Sequence, residues 1–294
     1  MTDFDPYFLD PRQVARAFNH AAAGYAANAA FQDEIAARLD ERLELVRLAP
    51  RRILEVGAGC GNGVGLLSRR YPQAGIYALD LAVDMLRAGR RHLEDQNHVR
   101  HVCANAGKLP IADRSMDLIF SNLALQWCND LEAVFREFHR VLKIDGLLMF
   151  TTLGPDTLKE LRASWAQIDD GVHVNAFIDM HNIGDAMIRA GFAGPVLDVE
   201  EVTLTYADVP ALMRELKLLG AHNIAAGRAH GLSSRRRLQQ MISVYERFRR
   251  SDGRIPSTQE IIYGHGWAPP AGARPQDGST VATFPLSQLR RRTI

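Results

Sequence analysis

The sequence predicts an α/β fold: a doubly wound parallel sheet of seven strands, with N-terminal helices and a helical insertion before the last strand. Apolar strand-like runs, such as 116–122, alternate with helical segments of about a dozen residues, which is the pattern of parallel strands joined by helices. Solid apolar runs indicate strands covered on both faces. Apolar residues make up 47% and charged residues 23% of the 294 residues, the balance of a soluble globular protein.

The expected elements alternate regularly up to residue 152. Residues 11–48 carry apolar residues at three- and four-residue steps with a break at Gly24, and are expected to form two helices. The expected strands lie at 51–56, 75–80, 99–103, 116–122 and 147–152, with helices at 62–70, 82–93 and 130–142 between them.

The rhythm changes after residue 152. Residues 155–168 are expected to form a helix that begins at Pro155, because proline suits the first turn of a helix. A helix at 181–190, a strand at 196–205, two or three helices within 207–250 and a last strand at 259–267 follow. The helices between the last two strands exceed ordinary loop length and indicate an insertion.

A glycine loop joins the first strand to the next helix. Glycines at 57, 59 and 61 let the backbone turn tightly and approach a ligand, and the helix that follows offers free N–H groups. A dinucleotide site is the competing interpretation, but its fingerprint is G-x-G-x-x-G. Its third glycine would stand at Asn62 counted from Gly57, or at Val64 counted from Gly59. The spacing therefore argues against a dinucleotide.

Glu55 stands two residues before the first glycine, which completes the pattern E-x-G-x-G-x-G. A carboxylate here would repel a pyrophosphate and suits a ligand that carries an ammonium and a sulfonium. The pattern resembles motif I of the class I S-adenosylmethionine-dependent methyltransferases. The resemblance implies a Rossmann-like fold and S-adenosylmethionine as cofactor, with Glu55, Gly57, Gly59 and Gly61 in its site. A plain glycine-rich turn is the alternative.

The ends of the next two strands carry further candidate cofactor residues, since ligands of doubly wound sheets bind outside the carboxyl ends of the strands. Asp80, followed by Leu81, can accept hydrogen bonds from ribose hydroxyls; the alternative is the N-cap of the next helix. Asn105 and Ala106 stand where this methyltransferase class often has Asp-Ala against the adenine amino group. The amide oxygen of Asn105 can still accept.

Four residues are candidates for the neighbourhood of the transferred methyl group. Asn122 and Trp127 follow the fourth strand and resemble the fourth motif of the class, beside the methionine end of the cofactor. Tyr25 is the candidate for a residue that closes over the methyl group, and His222 for a donor to the substrate. A role in the packed core is the alternative for Trp127, Tyr25 and His222.

Several stretches beyond the glycine loop are more specific. Residues 16–25, 152–162, 179–185, 216–223 and 263–267 resemble the malonyl-[acyl-carrier protein] O-methyltransferases of the biotin pathway. The likeness covers about residues 11–267. It implies methyl transfer to the free carboxylate of a malonyl thioester, carried by acyl carrier protein or coenzyme A. The products would be S-adenosylhomocysteine and the methyl ester that primes pimeloyl synthesis for biotin.

The resemblance also implies a division of the chain. We expect an N-terminal helical lid at 1–48, an S-adenosylmethionine-binding core at 49–205, a helical insertion on the substrate side at 206–256, the last core strand at 257–267 and a disordered tail at 268–294. Alternatives are a relative that hydroxylates protein arginine as an assembly factor of respiratory complex I, and a non-catalytic cofactor-binding regulator.

Charge is distributed unevenly along the second half of the chain. Residues 206–256 hold ten Arg or Lys against four Asp or Glu, and residues 151–205 hold three against nine. The basic segment could dock an acidic carrier protein, although a solvated helical face is the alternative. The docking candidates are Arg235, Arg236, Arg237, Arg247, Arg249 and Arg250.

Composition excludes several other classes of function. A net charge of +1 gives no overall case for nucleic acid, and no apolar run approaches the ~20 residues that span a membrane. Three cysteines without metal spacing, and an N-terminus without a signal or transit peptide, favour the cytoplasm. No HExxH or other metal motif is present. A malonyl carboxylate is already ionised at neutral pH, so no general base is expected.

Overall fold

The computed structural model describes residues 5–93, 97–229, 231 and 234–270. The helices are α1 (Pro11–Ala21), α2 (Ala30–Arg42), α3 (Asn62–Arg70), α4 (Val83–His92), α5 (Leu131–Val141), α6 (Lys159–Trp165), α7 (Met180–Ala190), α8 (Val209–Leu218) and α9 (Arg235–Tyr245). The strands are β1 (Arg52–Val56), β2 (Gly75–Asp80), β3 (Val99–Cys103), β4 (Met116–Ser121), β5 (Leu142–Leu153), β6 (Ala193–Tyr206) and β7 (Ile255–Trp267). Within these ranges no helix is long and apolar enough to cross a membrane.

The strands form one seven-stranded sheet in the order β3-β2-β1-β4-β5-β7-β6, which confirms the predicted doubly wound fold. The sheet is mixed rather than wholly parallel, because β7 runs antiparallel to both β5 and β6. The strand order reverses between β1 and β4, which pair in parallel with Ile53 opposite Leu118. Ligands of such sheets bind at this reversal.

Side chains that alternate along the central strands supply two separate cores. Leu54 and Val56 of β1 face a cluster that includes Phe135 and Phe138 of α5. Ile53 faces the opposite cluster, with α2 and α3. Because successive residues of a strand point to opposite faces, β1 is covered on both sides, and its residues 53–56 are buried.

The N-terminal segment forms two helices, as predicted, and they occupy different places. Helix α2 packs on the sheet through residues such as Ile35 and Leu39. Helix α1 packs on α4 instead, where Ala21 and Ala22 contact Met85. Asp10 caps α1 by accepting the Arg12 N–H at 2.9 Å. Helix α1 lies beside the carboxyl ends of the central strands, where the strand order reverses.

A third core joins the insertion to the long end of β6 and β7. Val209 and Leu212 of α8 and Met241 and Tyr245 of α9 pack there against Trp165 of α6. Strands β6 and β7 are longer than expected, and they hold the insertion above the carboxyl end of β5. Of the expected tail at 268–294, residues 271–294 lie outside the described part of the chain.

The expected helix start at Pro155 is wrong. Residues 155–158 form turns, and α6 begins at Lys159 after Leu158, whose φ is +58°. The Asp156 N–H donates to Glu260 Oε2 at 2.6 Å, and the Thr157 hydroxyl bonds the backbone of Glu260. These bonds to β7 compete with a helical first turn and fix an irregular connection instead.

Candidate active site

A cavity of about 280 Å³ opens at the reversal of strand order. Its walls are the carboxyl ends of β1, β2 and β4, the loop after β3, and helix α1. The lining contains most of the residues that the sequence predicts for the cofactor and the methyl group: Tyr25, Gly57, Gly59, Asp80, Leu81, Asn105, Ala106, Asn122 and Trp127. Glu55, Gly61 and His222 are outside this lining.

The glycine loop has a backbone conformation that favours glycine. Gly57, Gly59 and Gly61 all have positive φ. A Cβ added to Gly57 would lie 2.3 Å from the Cβ of Ala124. The Gly57 and Ala58 N–H groups donate to Leu79 O at 2.8 and 3.0 Å, which holds the loop against β2. The loop therefore brings bare backbone to the cavity wall.

Asp80 supports this loop from the end of β2. Its Oδ2 accepts the Gly59 N–H at 2.9 Å, and its Oδ1 accepts the Ala82 N–H at 2.7 Å. Burial raises the pKa of Asp80, and the hydrogen bonds from these backbone N–H groups offset part of the rise. The N-cap of α4 is Ala82, so the N-cap interpretation of Asp80 does not apply. Each carboxylate oxygen keeps a further acceptor site toward the cavity.

Glu55 lies beneath the loop, which corrects its expected place in the cavity wall. The residue is 3% exposed, and a Cβ on Gly63 would stand 2.2 Å from its Oε1. Oε2 has no hydrogen-bond partner in the described chain. Burial, followed by the charge of Asp80, raises the pKa of Glu55 well above its usual range. Strand alternation explains the position, since Val56 lines the cavity and Glu55 points the other way.

Gly61 is also outside the cavity lining. It is the N-cap of α3, with φ +89°, and it packs on Leu93. Its place is determined by the turn into α3.

The loop after β3 forms the outer rim of the cavity. Asn105 is exposed, and its Oδ1 accepts the Gly107 N–H at 2.8 Å in a tight turn. The Ala104 N–H donates to Asp80 O at 3.0 Å, which ties this rim to β2. The turn leaves the side-chain amide of Asn105 beside the cavity, where it can meet a planar heterocycle.

Asn122 and Trp127 form the wall at the end of β4. The Asn122 Nδ2 donates to Gln32 O at 2.9 Å, and its Oδ1 accepts the Thr151 hydroxyl at 2.7 Å. Both ends of this amide are therefore bound to the protein. The Trp127 ring meets Phe18 of α1 edge to face, with ring centroids 5.1 Å apart. These contacts join α1 and α2 to the end of β4.

A second cavity of about 120 Å³ adjoins the first and reaches toward the insertion. Phe18, Tyr25, Leu123 and Trp127 line both cavities. The second cavity also contains His222, so the structure brings Tyr25, Trp127 and His222 to the same space. These side chains approach from the segment after α1, from the segment after β4 and from the segment after α8.

Two of these groups are uncharged near neutral pH. Burial raises the pKa of Tyr25 far above its usual value, with smaller contributions from Cys60 and Asp80, so its phenol keeps the proton and can donate. Burial lowers the pKa of His222, and Arg228 and Lys217 lower it further. The imidazole is therefore neutral and can donate through one nitrogen and accept through the other.

Sequence reasoning missed part of both cavities. Pro11, Val14, Ala15 and Phe18 of α1 line the first cavity, and Gln32 and Asn175 line the second. The apolar periodicity of α1 indicated a core face without indicating that this face lines a cavity. Neither Gln32 nor Asn175 lies in a recognisable motif. Their placement depends on tertiary packing.

The predicted docking arginines divide into free and occupied side chains. Arg235 and Arg236 are exposed in the first turn of α9. The other four interact within the chain: Arg237 with Asp169 at 3.7 Å, Arg247 with Gln167 at 3.0 Å, Arg249 with Glu246 and Arg250 with Asp252 at 3.7 Å. Only the first pair presents charge without an intramolecular partner among the described residues.

In the part of the chain that the structure describes, no group of three His, Cys, Asp or Glu is placed to hold a metal ion. His265, on β7, is half-buried with a lowered pKa and lines neither cavity.

Comparisons with known proteins show which proteins this chain resembles. A methyltransferase-domain family matches residues 54–150. A malonyl-[acyl-carrier protein] O-methyltransferase of Laribacter hongkongensis is 50% identical over 290 residues, covering 95% of this chain and 97% of that protein. The YcgJ protein of Bacillus subtilis superposes with a TM-score of 0.59 at 18% identity, over 80% of this chain and 98% of that one.

A second solved structure has a cofactor product bound. It is a Haemonchus contortus phosphoethanolamine N-methyltransferase in complex with S-adenosylhomocysteine, with a TM-score of 0.52 at 17% identity, over 80% of this chain and 52% of that one. At this level of identity the likeness shows a shared fold.

Proposed function

We propose that this chain, which belongs to the malonyl-[acyl-carrier protein] O-methyltransferase family, transfers the methyl group of S-adenosylmethionine to the free carboxylate of a malonyl thioester. The product is the methyl ester that enters biotin synthesis. The observation that carries the proposal is the pair of cavities with a common wall at Phe18, Tyr25, Leu123 and Trp127. One cavity suits a nucleoside cofactor and the other an acyl group.

The first cavity fits S-adenosylmethionine by its donors and acceptors. Asp80 offers carboxylate oxygens to ribose hydroxyls, and the rim at Asn105 and Ala106 offers polar and apolar contacts to adenine. The bare backbone at Gly57 and Gly59 accommodates the methionine end. Glu55, buried beneath the loop, supplies negative potential when ionised, which favours a cationic ligand. When bound, the cofactor supplies a methyl group on a sulfonium, a good leaving group.

The protein contributes position and desolvation to the reaction. A malonyl carboxylate, with a pKa near ~4, is already a nucleophile at neutral pH, and no residue has to remove a proton. Phe18, Leu123 and Trp127 give the common wall an apolar surface, so the carboxylate oxygen and the methyl carbon would meet where water is excluded. The protonated phenol of Tyr25 and the neutral imidazole of His222 are the proposed donors to the substrate oxygens.

The proposed carrier is acyl carrier protein, which is acidic. Arg235 and Arg236 at the start of α9 give the basic patch for docking. Their neighbour Arg237 lies 3.7 Å from Asp169, which lines a third cavity that opens beside the second. Docking at α9 would therefore place the carrier beside the third cavity, which shares a wall with the second. Charge of this kind accelerates encounter more than it adds affinity.

Methylation followed by mass tests the proposal. The protein is incubated with S-adenosylmethionine and malonyl-carrier protein, malonyl-coenzyme A or succinyl-carrier protein. We expect a gain of one methyl group on malonyl thioesters, fastest on the carrier protein, and little on the longer diacid. Absence of transfer to any malonyl thioester, with the cofactor bound, would contradict the proposed function.

A further inference from the structure

The loop at 169–177 separates two cavities on the substrate side. The third cavity, of about 400 Å³, lies between this loop, α6 and Tyr7. His173, Val174, Asn175 and Phe177 line both the second and the third cavity. These residues therefore form the wall between the second and the third cavity.

The wall is held rigidly by its neighbours. The His173 ring stacks on Trp165, with centroids 3.8 Å apart and planes within 7°, and its Nε2 lies 2.6 Å from Asp169 Oδ1. The Asn223 Nδ2 donates to Val172 O at 2.7 Å. Such contacts restrict the position of Asn175, which lies two residues after His173 in the chain.

Asn175 carries an unused hydrogen-bonding group in this wall. The residue is 8% exposed, and its Oδ1 has no hydrogen-bond partner within the described chain. Gln126, another amide of the second cavity, differs, since its Nε2 donates to Leu123 O at 2.6 Å and its Oε1 accepts the Thr152 hydroxyl at 3.2 Å. A buried carbonyl without a hydrogen-bond donor costs folding free energy. A ligand that carries an N–H would supply the missing donor to Asn175 Oδ1.

The malonyl group cannot satisfy this acceptor, because its carboxylate and its thioester carbonyl are themselves acceptors. The pantetheine arm that joins malonate to a carrier protein or to coenzyme A contains secondary amides. A secondary amide donates through its N–H and accepts through its carbonyl, and a carboxamide is complementary to both.

We propose that Asn175 is a substrate-positioning residue that hydrogen-bonds a secondary amide of the thioester arm. The inference rests on the proposed function and adds a determinant of specificity: the enzyme recognises the arm as well as the malonyl group. The bond fixes how far the malonyl carboxylate extends toward the common wall of the first two cavities.

Two small substrates test this bond. Malonyl-N-acetylcysteamine contains the amide nearest the sulfur, and the malonyl 4-oxopentyl thioester has a methylene in place of the N–H and is otherwise matched. We expect the wild-type protein to prefer the amide by about tenfold in kcat/KM, the size of one hydrogen bond. In Asn175→Leu, and in Asn175→Ala as a second variant, the preference should fall to less than about twofold.

The matched control is Gln126→Leu, which alters a side chain of the same cavity whose amide is already bonded within the protein. It should lower turnover of both substrates to the same degree and retain the tenfold preference. Calorimetric binding of S-adenosylhomocysteine verifies that each variant is folded. Because the preference is a ratio within one protein, general damage to the fold cancels.

Three results would overturn the inference. Retention of the preference in both Asn175 variants would mean that the amide binds elsewhere, and its absence in the wild type would mean that the arm is not recognised. If the wild type methylates neither these thioesters nor malonyl-carrier protein, the proposed function fails and the inference with it. Methylation of malonyl-carrier protein by the wild type separates that outcome from the first two.

Discussion

The first and second cavities are constructed in different ways. The first has a wall of consecutive strand ends, in the segments 56–59, 79–82, 104–107 and 122–125, and α1 closes its other side. The second is made of long side chains from segments between Phe18 and Gln259. A cavity made of strand ends accommodates what all members of a fold class bind, whereas a cavity made of scattered side chains determines the acceptor. Substitutions should affect the two cavities differently.

The largest effect is expected at Gly57. Gly57→Ala forces a φ of +76° on an L-residue and puts its Cβ 2.3 Å from that of Ala124. Strain of about 1–3 kcal/mol, together with the clash, should weaken S-adenosylhomocysteine binding about 100-fold or more. Isothermal titration calorimetry measures this.

Gly253→Ala is the matched control for Gly57→Ala. Gly253 has a φ of +77° with nothing within 4 Å of an added Cβ, so the variant should lose about 1 kcal/mol of stability and bind the ligand normally. Normal binding by Gly57→Ala would show that backbone at the strand ends does not make the cofactor site.

The next effect concerns stability. Because the pKa of Glu55 is raised on folding, the unfolded chain loses this proton first as pH rises. Glu55→Gln should therefore make the ligand-free protein more stable than wild type by about 2 kcal/mol at pH 8. The difference should shrink as pH falls and vanish below about pH 4. Urea unfolding at several pH values measures it.

Cofactor binding should change in the opposite direction, since Glu55→Gln removes negative potential beneath the loop. We expect weaker binding of S-adenosylmethionine above neutral pH. Glu41→Gln, at an exposed site of α2, is the control and should stay within about 0.5 kcal/mol of wild type throughout. A Glu55→Gln protein less stable than wild type at pH 8 would indicate that the carboxylate is satisfied in the fold.

Tyr25 lies on the wall common to both cavities, so its substitution tests where one ends and the other begins. Tyr25→Phe removes only the hydroxyl proposed to donate to the substrate. We expect kcat for malonyl-carrier protein to fall about tenfold, the size of one hydrogen bond. Affinity for S-adenosylhomocysteine should be unchanged.

Tyr71→Phe serves as control for Tyr25→Phe, since Tyr71 packs beside the α2–α3 core away from both cavities. Its kcat should equal that of wild type. A fall in cofactor affinity for Tyr25→Phe, with kcat retained, would assign the hydroxyl to the first cavity.

The smallest effect is expected farthest from the chemistry. Arg235→Glu with Arg236→Glu should raise KM for malonyl-carrier protein about fivefold at low salt, with less effect at high salt. KM for malonyl-N-acetylcysteamine should not change. The double variant Arg47→Glu with Arg51→Glu makes the same charge change just before β1, at the amino ends of the strands and away from α9. It should change neither the KM for malonyl-carrier protein nor the KM for malonyl-N-acetylcysteamine. Equal effects of both double variants would contradict docking at α9.

The sequence was most informative where function depends on local backbone. The glycine loop and Asp80 stand at the predicted strand ends, because the polypeptide that forms the strand also forms the turn. Glu55 was predicted as a cofactor residue at the end of β1, and the structure buries its side chain against Gly63, outside the lining of the first cavity. The spacing of the motif does not determine on which face of β1 the side chain of Glu55 lies. The close packing of Glu55 against Gly63 in the structure shows that it lies on the face toward α3.

The second cavity could not be predicted in the same way. Asn175 belongs to an irregular loop without periodicity, and Gln32 lies on a helix whose apolar face gives the dominant signal. The prediction of where α6 begins was wrong for a related reason. Pro155 suits the first turn of a helix locally, but Glu260 of β7 holds the following residues in turns. At the start of α6, contacts between segments about a hundred residues apart override the local preference.

Four side chains line both the cofactor cavity and the acceptor cavity. The binding equilibria of the cofactor and of the acceptor are therefore linked. A shift of Phe18 or Trp127 that admits one molecule reshapes the space left for the other. Thermodynamic linkage then requires each molecule to alter the affinity of the other by an identical factor. Any difference in acceptor affinity between the S-adenosylmethionine and S-adenosylhomocysteine complexes must therefore appear as an equal difference in the affinities of the two nucleosides caused by the acceptor.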